Sequence, residues 1–261
     1  MRHLNLKRST LAIAAGALLT FASAAEPSQA NESSNSVRRG LPGRRISGGS
    51  RSINAACLAT PDQPVVAIMP KSNLGLTLSQ HPTFWFALPA ISPDRTLEFG
   101  LYDSAGDLVY TENFQIPEKA GISSLSLPKT VNALDKEENY RWYLSVVCDP
   151  NSRSEDLVVT GWIRRTQADS TLQNQLANAT LQERLSIYAT SNLWFETLSA
   201  FAEIHDTALS DTALSTDNST AFNGTREQLE QQTNKEWVAL LESIDLPQLS
   251  TTPFSNQPIV Q

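Results

Sequence analysis

The chain has 261 residues, with 20 Lys and Arg against 27 Asp and Glu and a formal charge of −7. That balance disfavours broad contact with nucleic acid or an anionic membrane surface. Two cysteines and three histidines do not make a metal framework, since neither His81 nor His205 has ligand spacing.

The first 24 residues have the three parts of a secretory signal: Arg2, Lys7 and Arg8, then the apolar run Leu11 to Phe21, then Ala22-Ser23-Ala24. Eleven apolar residues fall short of the roughly 20 that cross a bilayer as a helix, and no cysteine follows closely to carry a lipid anchor. The expectation is an exported, periplasmic or extracellular chain starting near Ala25, without a membrane span and with a charge of about −10. In such a compartment Cys57 and Cys148 read as one disulfide. Two independent thiols are the other reading. A bridge would close a loop of about 92 residues and contribute ~4–5 kcal/mol in the chain-entropy account.

Residues 25–55 are poor in apolar side chains and read as a flexible basic leader. Between Ser33 and Thr60 stand five arginines and no acid. Arg38, Arg39, Arg44, Arg45 and Arg51 are therefore candidates for contact with an acidic polymer of the envelope, or with the acidic C-terminal part of the chain. The stretch GRRISGGS, residues 43–50, has the glycine spacing of a phosphate-binding loop. Gly49 stands where that loop needs its lysine, and neither a strand before it nor a helix after it is expected, so no nucleotide site is assigned.

From residue 56 to 165 short apolar runs alternate with turn residues. Strands are expected at 65–69, 75–79, 83–88, 97–102, 108–114, 122–127, 140–148 and 157–164. Eight short strands without helical periodicity between them indicate an antiparallel sandwich or barrel. In NYRWYLSVVC, Tyr140, Trp142, Leu144, Val146 and Cys148 share one face, as a half-buried strand requires. Leu134, a polar corner and Tyr140 form the pattern of a tyrosine corner, which selects an immunoglobulin-like sandwich. Cys148 follows Tyr140 by eight residues rather than two, so the bridge tethers the incoming segment at Cys57 and is not of antibody type.

After Arg165 the period becomes helical, giving a module over 166–246. Thr180-Leu-Gln-Glu183 is a capping box heading a helix, a second starts at Leu193, and a third follows a box at Thr225. Residues 206–224 contain the tandem DTALSDTALS and read as a loose polar connector. The helix pair around Ser191 resembles one tetratricopeptide-repeat hairpin, without a glycine at its turn and with Thr197 where alanine is usual. A single such unit must pack on something else. The tail, 247–261, contains Pro253 and Pro258 and reads as unstructured.

Catalytic motifs are absent from this sequence: there is no G-x-S-x-G, H-E-x-x-H or C-x-x-C. His81, ahead of Pro82, reads as a turn histidine bonded to backbone. DPNSRSED, residues 149–156, has some oxygens of a calcium loop, but Arg153 and the missing glycine oppose that. No cofactor is assigned. Among the tryptophans, Trp142 and Trp162 are assigned to the core. Trp85 faces outward if Phe84 and Phe86 face inward. With Trp194 and Phe195 in the hairpin and Trp237 on the third helix, it completes the set of candidate partner contacts.

Six stretches in order, GLPGRRISGGSR, LTLSQHPTFWFALP, YRWYLSVVCDP, VVTGWIRR, YATSNLWFETL and WVALLESIDL, resemble a family of cyanobacterial exported proteins, domain of unknown function 928. The resemblance implies a compartment but no catalytic residue and no ligand. Two readings of function follow. The first is a non-catalytic binding or interaction protein of the cell envelope, its partner an envelope protein or polysaccharide. The second is an enzyme acting on envelope glycan or peptide, with small-ligand sensing as a further alternative.

Overall fold

The structure is a computed structural model that describes residues 41–48, 57–58, 63–209, 226–254 and 258–260. The chain divides into two units, and all these residues belong to the second, Arg38–Gln261. Eight strands form at the expected places: β1 Val66–Ala67, β2 Leu74–Thr77, β3 Thr83–Leu88, β4 Thr96–Tyr102, β5 Leu108–Gln115, β6 Gly121–Ser126, β7 Asn139–Val147 and β8 Leu157–Arg165. They make two open sheets, one in the order β1-β3-β6 and one in the order β2-β8-β7-β4-β5. Pairing is antiparallel except between β2 and β8, which run parallel. That pair corrects the expectation of a wholly antiparallel arrangement. Alternation along a strand reports burial but not the direction of its neighbour.

The two sheets share one core. Leu97, Phe99 and Leu101 of β4, Trp142, Leu144 and Val146 of β7, and Val159 and Ile163 of β8 meet Phe84, Phe86 and Leu125 from the smaller sheet. Trp142 is its centre: its ring lies 5.6 Å from Phe84 and 5.7 Å from Phe86, edge to face in both cases. The corner at the start of β7 forms as its residues suggested. The Tyr140 hydroxyl accepts from the Asp135 amide at 3.0 Å, above a buried Leu134.

Among the described residues four helices follow: α1 Ser170–Ala177, α2 Leu181–Thr190, α3 Trp194–Leu209 and α4 Arg226–Ser243. The first was not foreseen. It buries none of its side chains, so no apolar stripe marks it, and only Asp169, whose carboxylate accepts from Leu172, starts it. The box at Thr180 and Glu183 closes α2 reciprocally. Asn192 takes the left-handed conformation, φ 57°, at the turn into α3, where the comparison with repeat hairpins left glycine missing. Residues 206–209, placed in the connector by composition, continue α3. Residues 210–225, including the box at Thr225, lie outside the described residues.

These helices form a second core on the far side of the smaller sheet. Val66 and Ile68, Trp85 and Ala87, and Ile122 meet Leu198, Phe201, Ile204, Trp237 and Leu241 there. The smaller sheet is thus covered on both faces, which explains why TFWFAL is apolar almost throughout instead of alternating. Phe195 reaches further. Its ring lies 5.4 Å from Phe84, and a Cβ at Gly75 would stand 2.6 Å from it, so only glycine fits under this ring.

Two segments expected to be loose are partly ordered. In the leader, Arg44 pairs with Thr160 of the larger sheet and Ile46 with Val66 of the smaller, so residues 44–46 bridge the two. In the tail, a short 3-10 turn at Pro247–Leu249 is followed by an Ile122–Phe254 bridge, and buried Ile259 donates its amide to Ser124. Widely spaced apolar residues hold this proline-containing tail, Leu249 in the helical core and Phe254 and Ile259 at the edge of β6. That spacing carries no periodic signal.

Candidate functional site

The outer face of the larger sheet, which neither core covers among the described residues, bears a groove of about 530 Å³. Strand register builds it. Arg141 of β7 sits between Tyr102 of β4 and Trp162 of β8, and one step along, Tyr143 sits between Gly100 and Thr160. The hairpin of residues 103–106, which starts the connection to β5, closes one end. Each of these strand residues is outward because its neighbours, Leu101, Trp142, Leu144, Gly161 and Ile163, occupy the inward positions.

Two aromatic side chains are tied by hydrogen bonds here, and a third stacks beside one of them. Tyr143 lies against the sheet over Gly100, where an added Cβ would come within 2.1 Å of the ring. Its hydroxyl donates to Glu98 at 2.8 Å, and burial together with that acceptor pushes its pKa up to about 12. The Tyr102 ring stacks beside it, centroids 6.1 Å apart at 30°. The Trp162 indole N–H donates to the Pro42 carbonyl at 2.7 Å, so the leader anchors this ring.

Behind Tyr143 runs a polar chain. Glu98 receives the Arg153 guanidinium at 3.1 Å, and Arg153 also reaches Asp156 at 2.6 Å. Asp156 further accepts from the Ser145 hydroxyl and the Cys148 amide. Burial raises the Glu98 pKa, but the hydrogen bonds from Arg153 and Tyr143 and the arginine charge outweigh it and hold the carboxyl below its usual range. Of the residues weighed for calcium, Asp149 accepts from the Asn151 amide and Glu155 from the Ser152 hydroxyl, so these oxygens shape the turn that carries Arg153.

The charged residues lining the groove itself are Asp103 and Arg141. Asp103 Oδ1 accepts from the Ala105 and Asp107 amides, both at 2.9 Å, which shapes the turn. Asp103 Oδ2 and the exposed Arg141 guanidinium have no partner among the described residues. At the rim the Ser104 hydroxyl donates to Glu138 at 3.3 Å.

Two other concavities lie among the described residues. A more open depression of about 360 Å³ between α1 and α2 has no aromatic lining. A smaller pocket of about 180 Å³ is also aromatic, but its walls Trp237 and His205 are already packed against Phe254 of the tail.

The aromatic residues proposed for partner contact all turn inward. Trp85 is 9% exposed and lies under the helices, while Phe195, at 2%, and Trp237, at 5%, are core residues. Trp194 is half-buried, with its indole N–H on the Ile68 carbonyl at 2.8 Å. These rings cover the smaller sheet, which is why they read as a conspicuous apolar set. Trp162, assigned to the core, is instead in the groove. Of the basic candidates, Arg45 donates to the Met69 and Ile244 carbonyls and so ties β1 to the end of α4. Arg44 is exposed beside Thr160, and Arg38, Arg39 and Arg51 lie outside the described residues. Cys57 and Cys148 are bridged. His81 holds the Val131 carbonyl, as a turn histidine does.

The groove residues escaped the sequence reading. Tyr143 was legible as outward once Trp142 was inward. That Tyr102 and Trp162 stand on the flanking strands depends on sheet order, which no local pattern encodes.

No helix among the described residues is long and apolar enough to cross a membrane. No curated protein and no solved structure matches the chain. A family model, Domain of Unknown Function (DUF928), matches residues 46–254, and the chain belongs to that family.

Proposed function

We propose that this member of the DUF928 family is an exported, non-catalytic binding protein that takes its ligand in the groove on the outer face of the larger sheet. The observation that carries the reading is a pair of hydrogen-bonded aromatic rings with a third stacked beside them, around a guanidinium that has no partner among the described residues. Concave sites with apolar walls and a few fixed polar groups are where ligands bind. Asp103 and Arg141 are of opposite sign rather than a pair of carboxylates, which suits holding a ligand rather than hydrolysing one.

Export is supported by the signal-like N-terminus together with the Cys57–Cys148 bridge, which belongs to an oxidising compartment. An immunoglobulin-like sandwich is supported by the split into orders β1-β3-β6 and β2-β8-β7-β4-β5 and by the Tyr140 corner bond. In this reading the tetratricopeptide-like pair α2 and α3 serves as a lid on the smaller sheet.

The test is retention of envelope polymers and proteins on immobilised chain 25–261, beside an Arg141→Ala, Tyr143→Ala double variant. Retention by the wild type and its loss in the variant are expected. Equal retention by both would move the binding surface away from the groove. Sequencing the N-terminus of the secreted chain checks cleavage before Ala25.

A further inference from the structure

Resting on the groove reading, we infer that the ligand is a saccharide, with a sugar ring lying on the aromatic faces and its hydroxyls held between Arg141 and Asp103. Three observations lead there.

The groove lies on a sheet face, not at an edge. β7 and β4, which supply Arg141, Tyr143 and Tyr102, are paired on both sides, and β8 is paired with β7 on one side and with β2 or Arg44 on the other. No free ladder is offered there for strand addition, the usual way for a sheet to take an extended peptide. Recognition must come from side chains.

Those side chains form flat plates with fixed orientations. Tyr143 lies in the space that the missing side chain of Gly100 leaves, and its hydroxyl is committed to Glu98. Trp162 is committed through its indole N–H to Pro42. What remains for a ligand is ring surface, which takes the apolar C–H face of a pyranose, without the cost of freezing mobile side chains.

The unspent polar groups are one donor fork and one acceptor, the Arg141 guanidinium and Asp103 Oδ2. A sugar edge presents hydroxyls that donate and accept at once, and so satisfies both signs. A polyanion satisfies only the arginine and meets Asp103, Glu138 and a chain of net charge −7.

The experiment is calorimetric titration of chain 25–261 with neutral glucan oligomers, amino-sugar oligomers and uronate oligomers, with a peptide panel in parallel and tryptophan fluorescence as a second readout. At least one neutral or amino-sugar oligomer should bind. Arg141→Ala, an exposed change that leaves circular dichroism and melting unaltered, should weaken it roughly tenfold or more. Trp162→Phe should weaken it too and remove the fluorescence change. Binding of uronate oligomers alone overturns the role given to Asp103, and with it this inference. Peptide binding that depends on Arg141, without saccharide binding, overturns the saccharide but leaves the groove as the binding site. If nothing binds in an Arg141-dependent way more tightly than about 1 mM, both readings fail.

Discussion

The two sheets of this protein meet their surroundings in opposite ways. The smaller has no free face: Phe84 and Phe86 point into the inter-sheet core and Trp85 and Ala87 into the helical one. The larger is half-covered, and its second face carries Tyr102, Arg141, Tyr143 and Trp162 around a groove. Large aromatics occur on both, so an aromatic residue in this chain is not by itself a sign of either burial or binding. What separates them is the company of polar groups. Among the described residues Trp85 finds no hydrogen-bond partner for its indole nitrogen, whereas Trp162 is tied to Pro42 and flanks Arg141, whose guanidinium has none there either.

The same contrast holds for two carboxylates. Glu196 on α3 accepts from the Thr77 hydroxyl at 2.6 Å and from the Leu78 and Ser79 amides, which joins the helical layer to the turn after β2. Burial dominates these bonds and raises its pKa, and its second oxygen has no partner among the described residues. Glu98, at the half-open face, is moved downward instead.

Removing the helical layer should have the largest effect. A chain ending at Arg165 exposes Val66, Ile68, Trp85 and Ile122 together and should aggregate or bind hydrophobic dyes strongly. A soluble, monomeric, folded fragment would show that the smaller sheet does not need its cover. Replacing Cys57 and Cys148 by serine opens a loop with a sequence separation of 91 and should cost ~4–5 kcal/mol by denaturant titration.

Single aromatic and charged positions sharpen the comparison. Trp85→Ala should cost about 3–5 kcal/mol, while Arg141→Ala at the open face should stay within about 0.5 kcal/mol. Equal costs would erase the distinction between the faces.

Melting temperature followed over about pH 3–8 separates the two acids. With its native pKa raised above 4.5, Glu196 keeps a proton that the unfolded chain has released. Its contribution to stability is therefore full below that value and declines as pH rises through the native pKa, and Glu196→Gln should flatten the slope there. Glu98 has a lowered pKa, so its contribution is present above 4.5 and lost as pH falls through the native value. Glu98→Gln should flatten only the acid limb, and weakly, because its partner Arg153 is 46% exposed. Thr180→Ala removes the α2 cap and should cost about 1 kcal/mol without touching either sheet.

Local chemistry by itself determined a good deal of this protein. Period-two runs bounded by Pro, Gly and Asp placed all eight strands, the alternation in β7 set Trp142 inward, and Thr180 with Glu183 marked a helix start. These signals are short-range, since a strand or a cap is specified by residues within a few positions of one another. Only the tertiary structure decided which faces were covered. The parallel β2–β8 pair, the second core beneath Trp85, the leader strap through Arg45 and the tail held by Ile259 each join residues far apart in the chain. The groove belongs to the same class: Tyr102, Arg141 and Trp162 meet because β4, β7 and β8 are neighbours, and sheet order is set by the packing of whole faces, which no single stretch carries.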